Sequence, residues 1–401
     1  MNFLAAYFFL LPFTSAFNVS PVLTLPVISL VFLSAYQFSK PFITKSYVLA
    51  VSSYQLFIFA ILLCGTLSVC FSVFIKYSFV YTHTISLLFV FFAFVMIPLI
   101  GLKGHSIDKM LKPLHFSFYV VCCFCFFEFL TLNFTTIDIV NKIPRPDVAD
   151  YSPLFFQVLF RARSTFEESG HFASFITVVF PFLYIYTKRK KELLIVFLSS
   201  LAMSASVGGI IVFILLIIPF IIFLQKAKVK FFILTSLALF MVVFSPIIIS
   251  KLIDIYNFKI ASGSLTGRFE SYFDSIDLFF SGSIYNLLFG FGPGSYQYLL
   301  IEPAINAYIN LLRDIGLIGL LLFFLFVNFP AFYIMFRYFT GASIEKLSGY
   351  GWAVFFATLA VNFWLLSIPN YFYPHFYIPL IFFLGFGKKI YMEKSSNDLV
   401  L

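Results

Sequence analysis

Ser264-Leu265-Thr266-Gly267-Arg268-Phe269-Glu270 opens the stretch whose reading decides the fold. It sits in a polar segment, about 251–302, between two long apolar runs. From Gly267 onward the pattern has a helical period. Phe269, Tyr272, Phe273, Ile276 and Phe280 fall on one face, and Glu270, Asp274 and Asp277 on the other. That predicts an amphipathic helix lying on a membrane surface, capped by Ser264 or Thr266. Arg268 falls in its first turn, where the helix dipole disfavours a cation unless an anion joins it. Spacing alone leaves two readings of Arg268: a solvated or headgroup-facing side chain, or an anion ligand.

Outward from this segment the chain is apolar. Of its 401 residues 61% are hydrophobic, 22% aromatic and only 11% charged, where a soluble domain carries about 25% charged residues. Apolar runs near twenty residues without period-2 alternation select membrane helices over a barrel. The expected fold is an all-α polytopic membrane protein with about 12 transmembrane helices. It forms a single integral membrane domain, 1–401, with two larger outward-facing loops, about 135–169 and 251–304, that carry short amphipathic helices. The expected spans are 3–18, 22–37, 47–75, 82–102, 114–134, 170–187, 192–206, 207–224, 231–250, 304–336, 350–368 and 375–387. The N-terminus has no basic cluster and no small-residue cleavage site, so the first run reads as a span and not a signal peptide.

The net charge of +9 is distributed in short clusters between apolar runs, such as Lys103, Lys109 and Lys112, or Lys188-Arg189-Lys190-Lys191. That is the positive-inside pattern, not a nucleic-acid surface. It places both termini in the cytoplasm and the two polar segments outside. The five cysteines all lie in apolar runs and read as packing residues.

Two further constellations carry chemistry-bearing residues. The segment before 170 holds Arg145, then Arg161, Arg163, Glu167, Glu168 and His171 where the chain enters a span. Titratable groups at such a mouth are costly unless used or paired. Glu168 and His171 form an i,i+3 pair, Arg163 can hold a phosphate bidentately, and a carboxylate or imidazole can take a hydroxyl proton. A salt-bridge network anchoring the helix is the plainer alternative. Near 306, Asn306, Asn310 and Arg313 or Asp314 share one helix face, with Gly316 and Gly319 beyond. Here the plainer alternative is a polar seam between helices. His83, His105, His115 and His375 read as ordinary. No spacing suggests a metal site or a nucleotide loop.

Three stretches together resemble the O-antigen polymerase and O-antigen ligase superfamily: Glu168-Ser169-Gly170-His171-Phe172-Ala173, Thr266-Gly267-Arg268 with Gly290-Phe291-Gly292 beyond, and Asn306 through Gly319. Ile305 stands where the ligases carry histidine, which leans toward the polymerase branch, and Ser169 replaces a proline. The resemblance implies a metal- and cofactor-free glycosyltransferase, multi-pass in the bacterial cytoplasmic membrane. It would polymerise undecaprenyl-pyrophosphate-linked repeat units for lipopolysaccharide or related polysaccharide. Arg163 and Arg268 would stabilise the leaving pyrophosphate, and Glu168 or His171 would act on the acceptor. Arg161, Arg145, Gly267, Asn306, Tyr308 and Arg313 would bind substrate. A flippase and a chain-length regulator would be partners. An O-antigen ligase and, in another class, a flippase of lipid-linked sugars are the alternatives.

Overall fold

The computed structural model describes residues 3–18, 23–44, 70, 81–103, 105–135, 153–155, 159–225, 264–340 and 347–387. The chain begins with α1 (Phe3–Leu10) and α2 (Leu25–Thr44). Next, α3 (Tyr81–Leu88) runs through a π-helical turn (Phe89–Ala93) into α4 (Phe94–Leu102). A long helix, α5 (Asp108–Phe134), starts with an acid in its first turn, where the dipole favours one. A small antiparallel hairpin, β1 (Pro153–Phe155) with β2 (Leu159–Phe160), leads to α6 (Ser169–Tyr186). After α7 (Lys190–Ser204), Ala205 turns the chain in the left-handed region. Ser206 then caps α8 (Val207–Val212) by accepting from the Gly209 amide. A second π-helical turn (Phe213–Ile217) joins α9 (Ile218–Phe223).

The second polar segment forms α10 (Ser264–Ser281), α11 (Ile284–Phe289) and the single turn α12 (Tyr296–Leu299). The chain closes with α13 (Ala307–Phe339), α14 (Gly349–Ser367), a 3-10 turn (Pro374–Tyr377) and α15 (Ile378–Phe386). The core is built around α6, which is buried along almost its whole length and packs against α5, α7, α8 and α14. Trp364 of α14 donates its indole N–H to Thr177 of α6 at 2.9 Å. That satisfies the one polar group of a side chain otherwise held by apolar contact.

The expectation of about twelve spans is corrected here. Among the described residues four helices are long and apolar enough to cross a membrane: Asp108–Phe134, Ser169–Tyr186, Ala307–Arg337 and Gly349–Ser367. The expected spans at 47–75 and 231–250 lie outside the described residues, Cys70 apart. Several of the others fall short for a physical reason. At 1.5 Å per residue a helix must run about 20 residues to cross about 30 Å of hydrocarbon. In contrast, α1 has 8 residues, α7 has 15 and α15 has 9, and the apolar helices Leu25–Ser39 and Val207–Phe223 each fall within 10–17 residues. In α1 and α15 the apolar residues fill the protein's own core: Tyr7, Phe8, Ile378 and Phe382 are completely buried. Short apolar helices of this kind belong to packed interiors. Among the described residues, then, four apolar helices associate the chain with a membrane, and not the expected twelve or so. The polymerase, ligase and flippase readings each required a wholly embedded chain, and they fall with it.

The four long helices define two ends. At one, His115 near the start of α5 meets Tyr186 at the end of α6, with ring centroids 5.9 Å apart. Gly349 at the start of α14 faces Ile185 there. At the other end lie the close of α5, the start of α6, the start of α13 and the segment after α14. Hydrogen bonds join them: Glu128 to the Arg163 amide, Tyr373 to Glu167, and Asn310 to the Pro369 carbonyl. The Glu167–Tyr373–His171 and Arg313–Asp314 clusters both sit at this second end.

Candidate functional site

The turn before α6 is fixed from several sides. Glu128 of α5 is buried, and its Oε2 accepts the backbone N–H groups of Arg163 and Ser164 at 2.8 and 2.5 Å. Ser164 has φ 55°, a left-handed conformation uncommon for a residue with a Cβ. It persists because the carboxylate holds its N–H and its hydroxyl donates to the Val121 carbonyl at 2.7 Å. Thr165 donates to the Pro12 carbonyl at 2.7 Å. The Arg163 side chain is buried, with Nη1 donating to the Glu167 carbonyl at 3.2 Å.

This scaffold places Glu167 and His171 one helical turn apart against Tyr373, which arrives from beyond α14. The Tyr373 Oη lies 3.0 Å from Glu167 Oε2 and 2.6 Å from His171 Nδ1. Glu167 and His171 are themselves 3.6 Å apart, beyond a good hydrogen bond. Burial first, and then the Glu167 charge, push the Tyr373 phenol well above its ordinary value of 10, so it stays neutral and has one proton to give. An ionised Glu167 can only accept, so it takes that proton. The phenol oxygen must then accept from His171, which fixes the proton on Nδ1 and leaves Nε2 as the lone-pair nitrogen. The His171 side chain is 9% exposed and that of Glu167 35%, so the trio opens to its surroundings through the carboxylate.

A second pair supports the first. Ser174 Oγ donates to the His171 carbonyl at 2.7 Å, so His375 Nε2, 2.9 Å away, must be the donor to Ser174. The His375 ring stacks on Tyr373 with centroids 5.5 Å apart, and Phe166 and Phe175 present their edges to it.

A different cluster forms around Arg313 and Asp314, both almost wholly buried. Asp314 Oδ1 takes Arg313 Nε and Nη2 at 3.0 Å and the Ser295 hydroxyl at 3.3 Å; its Oδ2 takes the Gly294 amide at 3.2 Å. Gly316, at φ 70°, breaks the helix here. The Arg313 and Asp314 carbonyls lose their helical donors and accept instead from the Phe291 and Gly292 amides at 2.8 and 3.0 Å. Gly290, at φ 78°, and Gly316 face each other so closely that a Cβ on either would lie 2.4 Å from the other segment's backbone. Glycine is required at both.

The sequence-predicted residues are divided between these clusters. Arg163 and His171 belong to the first, and Glu167 rather than Glu168 reaches Tyr373. Glu168 is exposed at the N-cap of α6 with no side-chain capping bond. Arg161 is half-buried at the edge of the hairpin. Asn306 caps α13, accepting from the Tyr308 and Ile309 amides at 2.9 and 3.2 Å. Tyr308 donates to Asn362 at 2.5 Å, and Asn362 pairs with Asn328 through two amide bonds of 2.7 and 3.0 Å; this is a polar join between α13 and α14. Arg313 belongs to the second cluster. Gly267 has open space where a Cβ would stand. Arg145 lies outside the described residues, and Arg268 is placed by its backbone alone, in α10. The sequence pattern did not single out Glu128, Tyr373 or Ser174, and His375 read as ordinary. Only Glu128 carried a signal, a lone acid in an apolar run.

No protein-family model matches the sequence, and no curated protein matches it. The resemblance to the O-antigen polymerase and ligase superfamily does not hold. No family match supports it, and among the described residues four helices are long and apolar enough to span where about twelve were expected. The assignment to lipopolysaccharide assembly goes with it.

Proposed function

We propose that the end of the bundle carrying Glu167, Tyr373 and His171 is a metal-independent transfer site, at which a hydroxyl nucleophile attacks a phosphate-linked amphiphile. The observation that carries this reading is the hydrogen-bonded order Glu167, Tyr373, His171, which leaves one imidazole nitrogen as a base of fixed tautomer. His171 takes the proton of the attacking hydroxyl. Glu167, through Tyr373, stabilises the imidazolium that results. The buried guanidinium of Arg163, one turn away, offers charge to a leaving phosphate. The substrate is amphiphilic because the site stands where membrane-length helices begin and end. Glycosyl transfer from a lipid-phosphate donor is the reaction to test first. Among the described residues no group of three or more His, Cys, Asp or Glu is placed to hold a metal, and metal independence is part of the proposal.

The test is transfer by the purified chain in lipid micelles, from a sugar linked to a long-chain prenyl phosphate onto a soluble sugar acceptor, read by mass spectrometry. His171→Gln should lower turnover about 10²–10⁴-fold, the usual contribution of a positioned base, and EDTA should leave the parent unchanged. Full turnover by the variant, or loss in EDTA restored by a divalent ion, would sink the reading.

We further infer that this end faces away from the cytoplasm. Lys103, Lys109, Lys112, Lys188–Lys191 and Arg337 all border the opposite ends of the long helices, and basic residues mark the cytoplasmic side. A cysteine at Ser264 should react with an impermeant thiol reagent added outside cells, above the background of the native thiols. Protection there, with labelling only after lysis, would reverse the orientation.

A further inference from the structure

Helix α10 has three faces, and the protein covers one. Ser271, Ser275 and Phe279 are buried where α10 packs along α13. Glu270, Asp274 and Asp277 form an exposed acidic face. Between them runs a stripe that the protein leaves uncovered: Phe269, Phe273 and Phe280 are 54, 61 and 72% exposed. The stripe continues onto Ile284 and Tyr285 of α11, each 62% exposed, and Leu300, 93% exposed, projects from the following turn. This is not scattered surface hydrophobicity but a contiguous run on successive elements.

The position of α10 identifies what covers the stripe. The Tyr272 hydroxyl lies 2.9 Å from the Ile305 carbonyl and 3.4 Å from the Leu366 carbonyl. Ile305 lies next to Asn306, the cap of the membrane-length helix α13, and Leu366 is in the last turn of α14. Both anchor points are therefore helix ends on the same side of the bundle. The stripe is held at the level where two candidate spans leave hydrocarbon, and α13 carries its own exposed apolar residues, Leu317 and Leu321, beyond it.

We propose that the aromatic stripe of α10, continued on α11, is a bilayer-docking surface that seats among uncharged or zwitterionic lipid headgroups. The occupant is lipid because the stripe continues the exposed apolar surface of a spanning helix. The headgroup preference follows from charge. Most interfacial helices flank their apolar face with Lys and Arg, whereas here three exposed carboxylates border the stripe, and anionic headgroups repel them.

The test uses the full chain in phosphatidylcholine vesicles whose acyl chains carry bromine either near the headgroup or near the chain ends. Phe273→Trp and Asp274→Trp each add one indole to the two native tryptophans, whose emission is subtracted using the parent chain. The tryptophan at 273 should be quenched, more by shallow than by deep bromine, and the one at 274 much less. Replacing a third of the lipid with phosphatidylglycerol should weaken the quenching at 273. Equal quenching at both positions, or none at 273, overturns the docking surface. So does quenching at 273 that depends on protein density and not on bromine, which would mean a second copy covers the stripe. Stronger quenching with phosphatidylglycerol overturns the headgroup assignment.

Discussion

The Glu167–Tyr373–His171 trio and the Arg313–Asp314 pair lie at the same end of the same bundle, and both join segments distant in sequence. They differ in what they leave over. Around Asp314 both carboxylate oxygens are engaged by neighbours, and the chain closes over them with glycines that admit no side chain. Around His171 the hydrogen-bond order ends on an uncommitted ring nitrogen, and the carboxylate at the other end is partly exposed. A closed polar cluster specifies shape; an open one retains chemical capacity. Buried charge is thus poor evidence of activity by itself, since Arg313 is the more deeply buried arginine, yet its Nε and Nη2 are held by Asp314 and its guanidinium lies over the Tyr296 ring, with Nη1 alone lacking a hydrogen bond among the described residues.

The largest expected effect separates the two clusters by stability. Asp314→Ala removes one partner of a buried pair and should destabilise the chain by about 3–5 kcal/mol. It also orphans the Gly294 amide and the Ser295 hydroxyl. Replacing both members, Arg313→Met with Asp314→Leu, should recover much of that loss, because no uncompensated charge remains. Unfolding in mixed micelles, followed by circular dichroism, measures both. An Asp314→Ala chain of parental stability would mean that the second cluster is open too.

Next in size is Tyr373→Phe, which should act on turnover and spare stability. The ring and its stack on His375 remain, while the hydroxyl shared by Glu167 and His171 is lost. A hydrogen bond to a charged group contributes about 1.5–3 kcal/mol, so transfer should fall roughly tenfold to a hundredfold at about 1.4 kcal/mol per decade. The fall should be in kcat, with KM little moved. A tyrosine that merely packs would predict the opposite: unchanged turnover per folded molecule and a lower unfolding midpoint.

How much of this was legible in the sequence follows from the range of each interaction. The span expected at 170–187 and the amphipathic helix expected from Gly267 are written in local periodicity, and both formed, as Ser169–Tyr186 and Ser264–Ser281; the second starts earlier than expected, so that Ser264 and Thr266 lie inside it and not at its cap, and Arg268 lies beyond its first turn. His171 stood out because a titratable group at a helix mouth is rare. Its partner Tyr373, and His375 that pairs with Ser174 on the same helix, lie about two hundred residues away, and nothing in Pro369-Asn370-Tyr371-Phe372-Tyr373-Pro374-His375 distinguishes them from an ordinary aromatic turn. The span count failed for the complementary reason. Composition cannot tell an apolar residue facing lipid from one facing a neighbouring helix; Phe8 and Phe382 are wholly buried in protein, whereas Phe116 on α5 is 63% exposed. Gly316 read as a helix-packing glycine because its left-handed φ depends on Leu288 and Gly290, which approach it from another segment.

The smallest expected effect bears on Asn306, which lies between the clusters. Its pattern in the sequence, on one face with Asn310 and Arg313, suggested substrate binding. In the structure its Oδ1 accepts two amides of the first turn of α13, and its carbonyl accepts the Asn310 amide at 3.1 Å. These are the duties of an N-cap. Asn310, one turn on, reaches the Ala304 and Pro369 carbonyls at 2.7 and 3.1 Å, and so ties the start of α13 to the segment that delivers Tyr373. A cap that frays should therefore loosen both clusters slightly. Asn306→Ala should destabilise by about 1 kcal/mol, and Asn306→Asp, which keeps an acceptor at the helix start where the dipole favours negative charge, should cost less. A substrate ligand predicts a different ranking: alanine raises KM at unchanged stability, and aspartate is the worse variant because it repels a phosphate. Unfolding midpoints and KM measured on the two variants decide between these orders. A KM effect confined to aspartate, with alanine fully stable, would return Asn306 to the substrate side of the comparison.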